Sequence, residues 1–79
     1  MPRARVNSKP SRELLARLSR NVHDKRTTRQ WTQEELAKRL RVHKTLVSRI
    51  EQGRSNITIG TLEQLAKALG DSVIDLLAP

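Results

Sequence analysis

The chain contains no cysteine, no phenylalanine and no tyrosine, and Trp31 is its one large aromatic residue. Without cysteine there are no disulfides to supplement a thin core. The two histidines, His23 and His43, stand in no metal-ligand spacing, so neither a metal nor another cofactor is expected. No apolar run approaches the roughly 18 residues of a membrane span, and no signal-like apolar stretch follows the basic start. An interfacial membrane helix would need a broad apolar face with aromatic anchors, which one tryptophan does not supply. A soluble, cytoplasmic protein is expected. Its 79 residues suit a single small domain. A domain of that size buries only about 60% of its unfolded surface, so packing is its main source of stability.

Acidic residues are also scarce, 8 against 16 Lys and Arg, for a net charge of +8. The imbalance is uneven: residues 1–29 carry net +7, residues 30–54 net +3 and residues 55–79 net −2. A polyanion near the first two-thirds of the chain is the natural physical partner, although a solvated basic surface has the same composition. Residues 1–10 hold Pro2, Pro10 and three basic residues, Arg3, Arg5 and Lys9, with little to bury, and read as a flexible basic arm. Such an arm either tracks phosphates or a minor groove, or is a terminus without a role. Residues 11–79 form the expected folded domain.

What is present is helical periodicity. Ser11 can cap a first helix over 12–29, with Leu14, Leu15, Leu18 and Val22 at helical spacing. Its next inward position falls at Lys25 or Arg26, so the last turn is expected to fray or to cover the core with aliphatic stems. Thr32 and Glu35 form a T-x-x-E capping box for a second helix over 33–40, with Trp31 as its staple and Leu36, Ala37 and Leu40 inward. A third helix over 44–52 follows a turn at 41–43, with His43 in an unusual cap position, and ends at Gly53. Thr58 caps a fourth helix over 59–69, closed by Gly70, with Leu62, Leu65, Ala66 and Leu69 inward. Ser72 and Asp75 start a fifth over 73–78. The expected fold is all-α, five helices around one core.

In the third helix, Lys44, Thr45, Ser48, Arg49 and Gln52 lie at i, i+1, i+4, i+5 and i+8 and share one side. Val47 and Ile50 lie opposite. A polar helical face with no internal partner, on a basic chain, points to base edges in a DNA major groove. No nucleophile–base set, Gly-rich phosphate loop or coupled carboxylate pair is present, so no enzyme is expected. Glu34 and Glu35 suit the dipole of the second helix. Glu51 would be repelled by DNA, and is expected to pair with Arg39 or Arg54.

Leu18, Asn21 and Val22, the run Trp31-Thr32-Gln33-Glu34-Glu35-Leu36-Ala37, the run Val47-Ser48-Arg49-Ile50-Glu51-Gln52-Gly53, and residues 62–70 together resemble the lambda-repressor/Cro-type helix-turn-helix family, also called the xenobiotic-response-element family. The resemblance spans about residues 14–78. The run from Ile50 to Ile59 is most similar to that of restriction–modification controller proteins, with small prophage repressors and antitoxin-type regulators sharing much of the pattern. Three positions depart from it. Arg41 and Gln30 stand where glycine is usual or frequent, and Lys25 stands where an apolar residue is usual.

The resemblance implies a lambda-repressor-like domain with its helix-turn-helix at the second and third helices, acting as a transcriptional regulator on double-stranded DNA. It implies Lys44, Thr45, Ser48 and Arg49 as base readers, and Gln33, Gln52, Arg54 and Asn56 as phosphate contacts. Ordinary loop solvation is the other reading of Arg54 and Asn56. Leu46 either touches a thymine methyl or packs on the first helix. A homodimer on a pseudo-palindrome is expected, through Ile57, Ile59, Val73, Ile74 and Leu77. These residues would otherwise complete the monomer core. RNA polymerase or a toxin protein is a further partner of such regulators, and an antitoxin whose main task is to hold a toxin is the alternative function.

Overall fold

The computed structural model describes residues 11–79, and the basic arm expected at 1–10 lies outside the described residues. The elements are α1 (Arg12–Thr28), α2 (Gln33–Leu40), α3 (Lys44–Glu51), α4 (Ile59–Leu69) and α5 (Val73–Leu76), with no strand among the described residues. None of these helices is long and apolar enough to cross a membrane.

Local chemistry starts and stops each helix. The Ser11 hydroxyl accepts from Leu14 N–H, Thr32 from Glu35 N–H, Thr58 from Thr61 N–H and Ser72 from Asp75 N–H. The Thr32–Glu35 and Ser72–Asp75 boxes both close reciprocally, which holds the Glu35 and Asp75 carboxyls below the usual carboxylate range. Gly53 (φ 69°) and Gly70 (φ 72°) take the left-handed conformation after α3 and α4. Two non-glycine residues do the same, Gln30 (φ 59°) and Arg41 (φ 57°), at the two positions where the family resemblance calls for glycine. The chain accepts that strain, on the order of 1 kcal/mol at each.

The core is small and comes from all five helices: Leu18, Val22, Leu36, Ala37, Leu40, Val47, Ile50, Leu65, Ala66, Leu69 and Leu76. α2 and α3 pack on each other, α1 spans the back of α3 and α5, and α4 closes α2 and α5. Leu14 does not join this core and stays exposed. Leu76 does, fully buried, although sequence periodicity did not single it out in so short a helix. α5 is a single turn held from outside. Asn21 Nδ2 donates to Leu76 O and Ala78 O, both at 2.9 Å, and Arg20 reaches Ala78 O at 3.1 Å.

The last turn of α1 neither frays nor merely drapes its stems over the core. Lys25 Nζ pairs with Asp71 Oδ2 at 2.6 Å, and Arg29 donates to Leu69 O in the last turn of α4. Arg26 forms the central contact. Its Nε donates to Glu51 Oε2 at 2.6 Å and its Nη2 to Oε1 at 2.9 Å, a two-pronged pair with side chains 11% and 5% exposed. Its Nη1 donates to Trp31 O at 2.6 Å, in the α1–α2 connection. His23 Nδ1 lies 3.1 Å from Glu51 Oε1, Gln33 Nε2 donates to the same oxygen at 3.2 Å, and the Ser19 hydroxyl donates to Glu51 O. Glu51 is therefore structural, as expected, but its partner is Arg26 on α1 and not Arg39 or Arg54. Arg39 stacks instead on Trp31, 4.0 Å from the ring centroid.

Burial pushes the Glu51 carboxyl up, yet hydrogen bonds from Arg26, His23 and Gln33 and the charge of Arg26 hold it below the usual range. A depressed folded-state value means the stabilisation is complete above the unfolded carboxylate value of about 4.3 and is lost as pH falls through the lower folded value. Acid titration of helicity should show Glu51→Gln flattening the loss of stability below pH about 4.3. Arg26→Ala, which strips the buried Glu51 carboxylate of its cation and leaves it only His23 and Gln33, should cost about 3 kcal/mol by urea denaturation at neutral pH. Gln30→Gly should move stability the other way, by a gain of about 0.5–1 kcal/mol in the same assay.

Candidate nucleic-acid interface

The turn that joins α2 to α3 makes the site. Arg41 takes φ 57° and ψ 42°, and the Arg41 and Val42 N–H groups return to Lys38 O and Ala37 O. His43 then caps α3 in place of Ser, Thr, Asp or Asn. Its Nδ1 accepts from Thr45 N–H at 3.1 Å and lies 2.9 Å from Thr45 Oγ1. Capping therefore needs the tautomer with Nδ1 unprotonated, and it orients Thr45 through the same atom.

With Val47 and Ile50 fully buried, α3 is locked in rotation about its axis. The opposite side presents Lys44, Thr45, Arg49 and Gln52 exposed and Ser48 half-buried. The Ser48 hydroxyl accepts from Gln52 Nε2 at 3.2 Å. The four expected base readers therefore share one accessible strip, with Gln52 at its end. Lys44 Nζ lies 3.7 Å from Glu34 Oε1, an exposed pair worth little that can exchange for another anion. The one carboxylate within α3, Glu51, is turned to the inner side and neutralised by Arg26. Leu46 is half-buried and packs against the core.

Around this strip lie further hydrogen-bond donors and cations. The starts of α2 and α3 bound an open depression of about 480 Å³ lined by Arg26, Thr32, Gln33, Glu34 and Lys44. The first bond of the α2 ladder is Leu36 N–H to Thr32 O, so the N–H groups of Gln33 and Glu34 precede it and point along the helix axis toward its start. The Gln33 amide spends one hydrogen on Glu51 and retains the other. Beyond α3, Arg54 N–H bonds Arg49 O at 2.9 Å, Ser55 is buried, and the Arg54 and Asn56 residues are exposed.

Of the five residues expected at a subunit interface, Ile59 (75% exposed) and Ile74 (80%) stand clear of the core. Ile57, Val73 and Leu77 are half-buried and pack against it. Beside them an apolar hollow of about 170 Å³ is lined by Leu14, Leu15, Leu18, Ser55, Ile57, Leu62 and Leu77.

Sequence reasoning did not anticipate Arg26, His23 and Asn21 as positioning groups. A signal for Arg26 was available. Glu51 stands four residues after Val47 and so falls on the inner flank of α3, while Arg26 takes the inward position four residues after Val22.

The profile of the helix-turn-helix family HTH_3 matches residues 22–74. The control protein C.SmaI of Serratia marcescens is 38% identical over 77 residues, covering 98% of this chain and 88% of that protein. A hypothetical transcription factor of Neisseria meningitidis serogroup B is 39% identical over 67 residues, 85% of this chain, although the match spans only 63% of that relative. The crystal structure of a hypothetical transcription factor from Neisseria superposes with a TM-score of 0.81 at 35% identity, over 96% of this chain and 88% of that one. The restriction-modification controller protein C.AhdI from Aeromonas hydrophila gives a TM-score of 0.74 at 26% identity, over 78% and 94%. Helix order, the α2–α3 turn and these matches agree: the chain belongs to the HTH_3, or xenobiotic-response-element type, family of helix-turn-helix DNA-binding transcription regulators.

Proposed function

We propose that the chain is a cytoplasmic regulator of the restriction–modification controller kind, binding a pseudo-palindromic operator as a homodimer. One observation carries this reading. α3 presents only neutral or cationic donors outward while its single carboxylate is buried and paired. An α-helix with its side chains is about 10–12 Å across, which fits the width of a B-DNA major groove.

In this reading Arg49 forms a two-pronged contact with guanine O6 and N7, and Lys44 leaves Glu34 for a guanine acceptor. Thr45, its hydroxyl oriented by His43, offers a methyl to thymine, and Ser48 contacts a base edge. Gln33, Gln52, Arg54 and Asn56 grip phosphates on either side and set the register. One such unit reads one half-site. A two-fold partner, joined through Ile59 and Ile74 with Ile57, Val73 and Leu77 behind them, places a second α3 about 34 Å away or a multiple of that. RNA polymerase is the natural further partner of a regulator on its operator.

Selection from random duplexes, followed by titration on the selected site, tests the assignment. Arg49→Ala should cost about 1–3 kcal/mol on the selected operator and relax preference at one base pair. Arg54→Ala should weaken all duplexes alike and reduce the slope of log K against log salt by about 1. Equal affinity of the wild type for every duplex would refute sequence-specific regulation. Sedimentation equilibrium at micromolar concentration should find the wild type dimeric and an Ile59→Asp/Ile74→Asp variant monomeric with its helicity retained. A wild-type monomer both free and on DNA would refute the two-fold arrangement.

A further inference from the structure

At the end of α2 remote from Gln33, α2 and α4 bound an open groove of about 630 Å³ lined by Arg39, Leu40, Arg41, Gln64, Lys67 and Ala68. Half of the lining side chains are cationic and none is a carboxylate. Among the described residues, no ion pair ties Arg39, Arg41 or Lys67 to an acid. Glu35 lies one turn before Arg39 and feels its charge, but its direct hydrogen bond goes to Thr32 N–H at 2.8 Å. Converging like charges raise the local positive potential, and an anionic group seated there would lower it.

Two further features set the groove apart from a merely solvated basic face. The Arg39 guanidinium is held over Trp31, 4.0 Å from the ring centroid, so it loses little further freedom on binding. Arg41 carries its cationic side chain on left-handed backbone, at the rim of the groove. The rest of the lining indicates the occupant. Half-buried Ala68 and the rim of Leu40 offer apolar surface between the cations, and Gln64 offers an amide. A phosphodiester backbone presents only the small C–H faces of its sugars, whereas an acidic peptide can place a branched aliphatic side chain there. The groove also shares no lining residue with the depression at the starts of α2 and α3.

We propose that this groove docks an acidic, leucine-containing segment of a protein partner, with carboxylates on Arg39, Arg41 and Lys67 and an aliphatic side chain on Ala68. The site is separate from the DNA-facing strip, so both are occupied together. Trp31, the one tryptophan of the chain, reports on it through its contact with Arg39.

The test uses the full chain and a fluorescein-labelled synthetic peptide of repeated Asp-Leu-Glu, with a repeated Lys-Leu-Lys peptide as control, followed by anisotropy and Trp31 emission. The acidic peptide should bind and shift Trp31 emission, and the basic one should do neither. Gln64→Glu with Lys67→Ala should weaken acidic-peptide binding about tenfold. The same variant should keep the wild-type melting temperature, because both residues are exposed on α4, and should keep its affinity for a selected operator with long flanks. Arg12→Ala with Arg17→Ala, an equal loss of charge on α1, should leave peptide binding within about twofold of wild type. Equal weakening by both double variants would reduce the effect to net charge and overturn the proposal. So would binding without a Trp31 response, or loss of operator affinity in the groove variant, which would give the groove to flanking DNA.

Discussion

A carboxylate on the inner side of a helix is tolerable only when its surroundings satisfy it, and the surroundings of Glu51 come from three separate parts of the chain. Arg26, His23 and Ser19 approach from α1, Gln33 from the start of α2, and the Trp31 carbonyl shares Arg26 with it. The tilt of α3 against α1 and α2 is thereby set by directional bonds, where a core of eleven mostly aliphatic side chains alone would permit sliding. The same pair removes negative charge from the outer side of α3. One interaction thus serves both the geometry of the motif and the electrostatics of its outer face.

The local signals in the sequence were sufficient for the helices. Ser11, Thr32, Thr58 and Ser72 each bond an N–H three residues on, and Gly70 ends α4 as its type demands. Those features need only a few neighbouring residues, so a linear reading reaches them. The shared face of Lys44, Thr45, Ser48 and Arg49 was legible for the same reason, since a helix of known phase places them together. Arg26 and Glu51 are 25 residues apart, and Lys25 and Asp71 lie still further apart. Which cation meets which acid follows from how α1 crosses the other helices, and no periodicity encodes that crossing. The inward face of α5 was missed for another reason. One turn of helix is too short for a phase to be read, so Leu76 and Ile74 were not separated into inside and outside.

Charge is segregated as well as abundant. The basic excess lies in the first two-thirds of the chain and the final third is slightly acidic. In the fold, Lys44, Arg49 and Arg54 serve the outer side of the motif, while Lys25, Arg26 and Arg29 are turned inward to join helices. Cations of one sequence neighbourhood therefore do two unrelated tasks. Sequence counts of Lys and Arg overstate the positive charge available to a polyanion, because those bound to Asp71 and Glu51 are already neutralised.

The tie from Asn21 to the carbonyls at the end of α5 has a consequence for the order in which the molecule is made. A single helical turn has no stability by itself, since nucleation fixes several residues for one hydrogen bond. α5 can persist only after α1 has formed and offers Asn21 and Arg20 to its carbonyls. Ile74, which α5 carries at the surface, is accordingly displayed only by chains whose first helix is already in place. Incomplete chains lack that surface in its ordered form, so subunit pairing through it would select for finished monomers and act as a checkpoint on folding.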